Sequence, residues 1–261
     1  MNAVVVNMYL TLLKIGFLEI HTYGVFVAAG FFIGFKVLLF YAKKSSISLI
    51  LIESLTFLVF VSSVIGARLF YVLISWQEFA NNPLDIFKLW QGGLVFWGGF
   101  LGSATTVVVF SIKHRISFWK LADIFAPAAA VGHAVGRIGC FFAGCCYGKP
   151  TDSFFGVVFP ENCLAPSGVG LVPSQLISSC LMVTIFLILV AFWKRKRFDG
   201  QIFLIYAVLF SVGRFFIEFL RGDFRGSLIL GVTPTQIVSI VIFVIGAVIW
   251  NKLLLIKKKS V

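Results

Sequence analysis

The feature that most constrains this chain is a series of long apolar runs separated by short polar stretches. A helix needs roughly 20 mainly apolar residues to cross the hydrocarbon core of a bilayer. Only 12% of the residues are charged, which is about half of what a soluble domain carries. The pattern predicts an all-α integral membrane bundle that forms one transmembrane domain over 1–261. Its seven predicted spans are 24–42, 48–74, 94–112, 118–139, 175–193, 201–220 and 235–256.

The distribution of positive charge predicts the orientation of this bundle. Lys and Arg cluster after the first, third, fifth and seventh spans, at 43–44, 113–115, 194–197 and 257–259. Such clusters are typical of cytoplasmic loops. We therefore expect the N-terminus outside and the C-terminus in the cytoplasm, with an extracytoplasmic loop region at about 140–173. The net charge of +12 follows from these clusters, so it does not indicate a nucleic-acid partner.

Several ionisable residues lie within or at the ends of the predicted spans, where they are costly and are candidates for function. Guanidinium groups bind phosphate through two parallel hydrogen bonds, and a phospholipid head group is the most abundant phosphate at this depth. Arg214, Glu218 and Arg221 are spaced so that they would lie on one helix face. The ionisable residues concerned are Glu53, Arg68, His133, Arg137, Arg214, Glu218 and Arg221.

Other interpretations of these charges remain open. Arg214 and Glu218 are four residues apart and would neutralise each other on a helix. Arg137 has no carboxylate near it in sequence, although its long side chain would also reach the head groups by snorkelling. Arginines within spans also line anion transport paths, but the chain has no internal repeat of the kind transporters show.

The segment 136–148 carries the densest pattern in the sequence. It holds four glycines in thirteen residues, directly after a helix that presents Arg137. Glycine lets a backbone turn sharply and approach a ligand closely. We therefore predict a head-group pocket at the membrane surface, with the glycines as binding positions: Gly136, Gly139, Gly144 and Gly148.

Across essentially its whole length the sequence resembles the prolipoprotein diacylglyceryl transferases, a family of bacterial inner-membrane enzymes. Each motif is short, but they occur in the family's order. The matching motifs are His21-Thr22-Tyr23-Gly24, Gly66-Ala67-Arg68-Leu69, Gln91-Gly92-Gly93-Leu94 with Gly98-Gly99, Gly136-Arg137-Ile138-Gly139 with Phe141, Gly144 and Gly148, Pro173-Ser174-Gln175-Leu176, Gly213-Arg214-Phe215 with Glu218 and Arg221, and Thr233-Pro234-Thr235-Gln236.

The resemblance implies a multi-pass enzyme of the bacterial inner membrane. Such an enzyme moves a diacylglyceryl group from phosphatidylglycerol, a membrane lipid, to the lipobox cysteine of a preprolipoprotein and releases glycerol phosphate. We expect no cofactor and no metal. Together with the charge pattern, the resemblance assigns substrate binding to Arg137, Arg68, Gly136, Gly139, Gly144, Gly148, Glu218, Arg221 and Gln175.

The catalytic assignment departs from the family at the third span. The family has His before the Gly-Gly pair, whereas this chain has Trp97, and indole cannot accept a proton. We expect Arg137 and Arg214 to stabilise the leaving phosphate and a nearby side chain to deprotonate the acceptor thiol. Candidates for the base are His133, His21 and Tyr23. A phospholipid-binding relative without activity, or an enzyme with another acceptor, remains the alternative.

Four cysteines lie at or near the predicted outer loop, and the family's signature Asn and Glu are replaced by Cys140 and Cys145. The spacing C-x4-C-C is a poor match to the usual zinc pattern. The sequence therefore favours packed thiols or a disulfide over a metal, while the connectivity stays open. The fifth cysteine, Cys180, is predicted to be a small core residue.

Overall fold

The computed structural model describes residues 4–5, 10–15, 18–80, 82–88, 92–161, 163–223 and 231–259. These residues are mainly helical, with seven helices long and apolar enough to cross a membrane. A short helix, α3 (Trp76–Phe79), and a 3₁₀ turn (Pro83–Phe87) link the second and third of them. The seven are α1 (Thr22–Lys44), α2 (Leu49–Ile74), α4 (Phe96–His114), α5 (Phe118–Phe142), α6 (Ser174–Trp193), α7 (Gln201–Glu218) and α8 (Pro234–Lys259).

All seven predicted spans correspond to helices, and two boundary differences matter for the site. Helix α5 continues to Phe142 and runs through Pro127, so Cys140 lies in its last turn rather than at the start of a loop. Helix α7 ends at Glu218, so the prediction that Arg221 shares its face is wrong. Apolar side chains such as Phe57 and Leu73 are exposed on these helices, as expected of surfaces that face lipid. The chain is a multi-pass membrane protein.

Two compact units divide the described chain. The first unit comprises Met1–Leu38 and Asp123–Val261, and the second unit comprises Leu39–Ala122. The predicted single domain over 1–261 stays a prediction. Every side chain discussed below is placed by its contacts within its own unit.

The second unit is organised by the close approach of α2 and α4. A Cβ added to Gly66 would collide with the carbonyl oxygen of Gly98, and one added to Gly102 would collide with that of Ser62. Small residues allow helix backbones to approach closely within a bilayer. The Gly-Ala-Arg-Leu and Gly-Gly motifs noted in the sequence therefore contribute their glycines to helix packing.

In the first unit, α5, α6 and α7 share an apolar core. Small residues on α5 allow close packing against larger side chains of α6 and α7, and α1 approaches α5 at Gly30 and Gly132. The core is formed by Ala126, Ala130, Ala134, Met182, Ile185, Leu189 and Ile202.

The long connection between α5 and α6 is ordered around a small core of its own. Strand β4 (Val157–Val158) pairs with β1 (Val4–Val5), and isolated bridges join Pro150 and Val157 to Leu171. A second two-stranded sheet, formed by β2 (Thr11–Ile15) and β3 (Leu18–His21), precedes α1. The core of the connection consists of Phe141, Val157, Phe159, Ala165 and Leu171. The polar composition of this connection does not prevent a packed structure.

Candidate active site

The last two turns of α5 carry the centre of the candidate site. His133 and Arg137 are one helical turn apart, and Nε of Arg137 donates a hydrogen bond to Nε2 of His133 over 2.9 Å. Within the described residues Arg137 forms no ion pair. His133 also packs against Phe210, with ring centroids 5.7 Å apart. Arg137 is thus a partly buried cation that is oriented by a neutral neighbour.

Arg214 on α7 belongs to the same site. Its Nη2 lies 2.8 Å from Oε2 of Glu218, and its charge acts on His133 together with that of Arg137. Glu218 is buried, and its Oε1 accepts a hydrogen bond from Oγ1 of Thr233 over 3.1 Å. The predicted ion pair between Arg214 and Glu218 is therefore present. The pair orients the guanidinium of Arg214 and does not by itself exclude a role in binding an anion.

Thr233 was not among the predicted site residues. It caps α8 through a reciprocal pair of bonds: the N–H of Gln236 donates to Oγ1 of Thr233, and the N–H of Thr233 donates to Oε1 of Gln236. This is the capping-box arrangement. The Thr-x-x-Gln spacing before an apolar run could have predicted the cap. The contact with Glu218 depends on the tertiary structure.

Arg221 lies beyond α7 and is held by Asp223, another residue that sequence reasoning missed. Its Nε and Nη2 donate to the two carboxylate oxygens of Asp223 over 2.8 and 2.6 Å. Although burial opposes it, hydrogen bonds to Asp223 and Cys146 raise the pKa of Arg221. An acidic residue two positions away was the available signal. Arg221 is thus largely neutralised before any substrate binds.

The glycine–cysteine segment (136–148) reverses direction sharply where α5 ends and passes close to Arg221. Gly144 has a φ of +67° and Cys146 a φ of +61°, both in the left-handed region. Gly148 is bridged to Arg221, and its N–H donates to the carbonyl oxygen of Val172 over 2.9 Å. A side chain at Gly148 would collide with Val172. These two glycines therefore shape the backbone, and their predicted role in substrate binding stays a prediction.

Two side chains in the first turn of α6 hold this segment in place through hydrogen bonds. Oγ of Ser174 donates to the carbonyl oxygen of Cys146 over 2.7 Å, and Nε2 of Gln175 donates to that of Cys145 over 2.8 Å. Both side chains are fully buried. Gln175 thus lies at the site, where the sequence predicted a binding role. Its visible contact is with the backbone of the segment.

Three thiols come together at this point: those of Cys140, Cys145 and Cys146, whose sulfur atoms all lie within 4.8 Å of one another. Hydrogen bonds from the Cys140 and Cys145 thiols, together with Arg221, lower the pKa of Cys146. The same thiol contacts and burial raise the pKa of Cys145. The structure shows no disulfide between Cys146 and Cys163.

The remaining predicted residues occupy different surroundings. Tyr23, in the first turn of α1, would touch a Cβ added to Gly139, and it interacts electrostatically with the thiols and with Arg137. A Cβ on Gly136 would meet no atom within 4 Å, so this glycine borders open space. His21 is exposed at the end of β3. Gln91, which opened one of the matched motifs, lies outside the described residues.

Arg68 belongs to the second unit and differs from the other arginines. Its guanidinium donates to backbone carbonyls, among them those of Ile86 at 2.8 Å, Gly92 at 2.7 Å and Asp85 at 2.7 Å. It also lies over the rings of Tyr71 and Phe79. The arrangement favours a structural role for Arg68, in which it orders the connection between α2 and α4. Its predicted role in substrate binding stays a prediction.

Trp97 stands on α4 of the second unit, where the family's histidine is expected. Its side chain is 47% exposed and packs edge-on against Phe96 and Phe100. An indole can donate but cannot accept a proton. The position therefore supplies no base, as the sequence indicated.

Comparisons with known proteins agree with the resemblance. Residues 10–252 match the family model described as prolipoprotein diacylglyceryl transferase. A phosphatidylglycerol–prolipoprotein diacylglyceryl transferase of Clostridium perfringens is 33% identical over 234 residues, covering 90% of this chain and 91% of the relative. The Clostridium tetani enzyme is 32% identical, with 90% and 93% covered, and that of Listeria welshimeri is 32% identical, with 92% and 89% covered. This chain therefore belongs to the prolipoprotein diacylglyceryl transferase family.

Proposed function

We propose that this protein transfers a diacylglyceryl group from phosphatidylglycerol to the lipobox cysteine of prolipoproteins and releases glycerol phosphate. Family membership supports this assignment over residues 10–252. The observation that carries it within the structure is Arg137: a partly buried cation, held by His133 rather than by a carboxylate. Such a cation at the end of a membrane helix suits a lipid phosphate.

Arg137 and Arg214 act together on the phosphodiester in this proposal. As the bond between the glycerol carbon and the phosphate oxygen breaks, negative charge grows on that oxygen. Two guanidinium groups fixed beforehand, one by His133 and one by Glu218, stabilise that charge without reorganising. His133 acts mainly as an orienting group, because its Nε2 already accepts the hydrogen bond of Arg137.

We further infer that the protein lies in a bacterial inner membrane with its N-terminus outside and its C-terminus in the cytoplasm. The four basic clusters described above all support the same orientation. The connection between α5 and α6, over 143–173, then lies on the outer side, where it can meet exported prolipoproteins. Labelling of an added cysteine by a membrane-impermeant maleimide tests this. Reaction in intact cells is expected at Asp152→Cys and absent at Arg195→Cys.

The transfer itself is tested with purified protein, phosphatidylglycerol and a lipobox peptide. A mass gain of one diacylglyceryl group on the peptide cysteine is expected. Arg137→Ala should abolish the gain, whereas Arg195→Ala, an exposed arginine in the connection after α6, should leave it unchanged. If the lipid binds but the peptide gains no mass, the alternative of a phospholipid-binding protein without activity is favoured. Trp97 supports that alternative, because it replaces the family's histidine and cannot act as a base.

A further inference from the structure

The cluster of thiols at the end of α5 has no role in the transfer as described so far. Cys140, Cys145 and Cys146 present three sulfur atoms within 4.8 Å of one another. The spacing C-x4-C-C gave a weak zinc pattern in sequence, yet the fold makes the sulfurs converge. Cys140 lies in the last turn of the helix, and the left-handed residues Gly144 and Cys146 reverse the chain back toward it.

The backbone that carries these thiols is held in place independently of the sulfur atoms. The carbonyl groups of Cys145 and Cys146 accept hydrogen bonds from the buried side chains of Gln175 and Ser174. The N–H of Cys145 donates to the carbonyl oxygen of Cys140 over 3.2 Å. A metal site needs ligands oriented in advance by such outer contacts. The turn provides this orientation.

Two further observations indicate that something is bound here. Oε1 of Gln175 is buried and has no hydrogen-bond partner within the described part of the chain, although buried polar atoms are rarely left unpaired. Positive charge also lies near the thiols: Arg137 interacts with Cys140, and Arg221, whose charge Asp223 largely neutralises, hydrogen-bonds Cys146. Arg137 would balance part of the negative charge of a metal bound by three thiolates.

We propose that Cys140, Cys145 and Cys146 bind a Zn²⁺ ion and leave its fourth position open for the thiolate of the acceptor cysteine. Zinc binds thiolate at about 2.3 Å, which places tetrahedral sulfur ligands about 3.8 Å apart. Side-chain rotations bring sulfurs within 4.8 Å to that separation. A disulfide would use two of the sulfurs and leave the third unexplained, whereas a metal uses all three.

This inference rests on the proposed transferase function and supplies the step that Trp97 leaves unassigned. A thiol that coordinates zinc is deprotonated, and its proton passes to water. The zinc-bound sulfur of the acceptor then forms the bond to the glycerol carbon. The bond from that carbon to the phosphate oxygen breaks, and its electron pair leaves with glycerol phosphate, next to Arg137 and Arg214. The thioether product is a weaker zinc ligand and dissociates.

Metal binding is tested first without any activity measurement. Protein purified in detergent under reducing conditions, then dialysed against a zinc buffer, should hold one zinc per chain by elemental analysis. Cys145→Ser and Cys140→Ser should each weaken zinc binding at least about tenfold, since each removes one of the ligands. Cys163→Ser is the matched control, because Cys163 lies in the same connection and its sulfur faces the carbonyl oxygen of Pro160 at 3.1 Å. Cys180→Ser is a second control, because Cys180 is exposed on α6 and the prediction that it is a core residue is wrong.

The open position is tested with Co²⁺ in place of zinc. The sulfur-to-cobalt charge-transfer absorption should rise by about a third when a lipobox peptide adds a fourth thiolate to the three. A peptide with Ser in place of the acceptor Cys should cause no rise. Melting curves of each variant establish that it is folded. If Cys145→Ser does not fold, Cys140→Ser and the cobalt spectrum of the unmodified protein decide the matter alone.

The possible outcomes separate this inference from the proposed function. Absence of zinc, equal loss in Cys163→Ser, or a disulfide among the three cysteines found by mass spectrometry would overturn the metal site. Transfer that continues at full rate after complete zinc removal would overturn the role of zinc while the transferase assignment stands. Zinc binding and a cobalt response without any transfer would retain the site and reject the transferase.

Discussion

Arg68 and Arg137 have the same standing in the sequence, because each is an arginine within an apolar span and belongs to a family-like motif. In the structure their surroundings differ. All three guanidinium nitrogens of Arg68 donate to backbone carbonyls of the connection after α2. Arg137 makes one hydrogen bond to His133 and forms no ion pair within the described residues. An arginine inside a membrane span therefore indicates a ligand only when its donors are not already used.

The physical reason lies in the cost of burying a guanidinium. A buried cation must have its donors satisfied, and carbonyl dipoles can do so without a counter-charge. Arg68 receives that compensation from the chain and additionally from two aromatic rings. Arg137 receives little of this compensation, so an anionic ligand that accepts its hydrogen bonds would bind there favourably. The following experiments test this difference, in order of decreasing effect.

Replacing Arg137 should have the largest effect, and it should fall on activity. We expect Arg137→Ala to lower kcat/KM for diacylglyceryl transfer by about 100- to 1000-fold, as for the loss of a group that stabilises developing charge. Thermal stability in detergent should stay within a few degrees of the unmodified protein, because only one hydrogen bond is lost. Rates from a lipid-transfer assay and melting curves provide both values. A stability loss as large as that of Arg68→Ala would remove the distinction between the two arginines.

Replacing Arg68 should act mainly on stability. Arg68→Ala leaves several carbonyl groups without a donor and should cost about 3 kcal/mol of unfolding free energy. Hydrogen exchange should increase at Asp85–Lys88, whose carbonyls lose their partner. Activity per folded molecule should change less than tenfold. If activity falls with unchanged stability, the sequence-based assignment of Arg68 to substrate binding is correct and the structural role is wrong.

Gly66, next to Ala67 and Arg68, and Gly136, next to Arg137, should likewise differ in how much a substitution lowers stability. Gly66→Val places a side chain against the carbonyl of Gly98 and should destabilise the protein by about 1–3 kcal/mol through overpacking. Gly136→Ala meets no atom within 4 Å and should leave stability nearly unchanged. Any loss of lipid affinity in Gly136→Ala, measured by binding of phosphatidylglycerol, would show that the ligand approaches this open surface. Equal destabilisation by both substitutions would contradict the packing role of Gly66.

The smallest effect concerns Lys196, a cation in the first unit whose charge is compensated. Its Nζ lies 2.9 Å from Oδ2 of the buried Asp123 and 2.7 Å from Oδ1 of Asp199. Although burial opposes it, hydrogen bonds to both carboxylates raise the pKa of Lys196 above its ordinary value of 10.5. Its contribution to stability is therefore complete below that value and is lost as the pH rises through the raised pKa.

We expect the unfolding free energy to fall by about 1 kcal/mol as the pH rises past 10.5. Lys196→Gln should remove this pH dependence, while activity at neutral pH remains. Unfolding measured at pH 8 and at pH 11 in both proteins checks this. The matched control is Lys194→Gln, an exposed lysine in the same connection, which should retain the pH dependence. Activity lost in Lys196→Gln at neutral pH would show that even a compensated cation can serve the reaction.

The helices were predictable from the sequence because hydropathy is a local property. The free energy of placing a segment in a bilayer is nearly a sum over its residues, so Leu49–Ile74 was predicted to within one residue as 48–74. Helix ends were less predictable. Arg221 was assigned to α7 by its spacing, whereas bonds to Asp223 and the bridge to Gly148 draw it off the helix. The bridge to Gly148 depends on chain segments that meet only after folding.

The sequence by itself determined the membrane class, the seven helices and the family, and it made the arginines within the spans candidates for the site. It did so because hydrophobic length and ordered motifs are readable along the chain. The tertiary structure alone decided that Arg68 donates its hydrogen bonds to backbone carbonyls and that Arg137 donates one to His133. It also brought together three thiols whose spacing in sequence is a poor match to a zinc site. The donors of Arg68 reach carbonyls 17 to 24 residues away, and the thiols converge because the backbone reverses at Gly144 and Cys146. Local propensity does not carry that information.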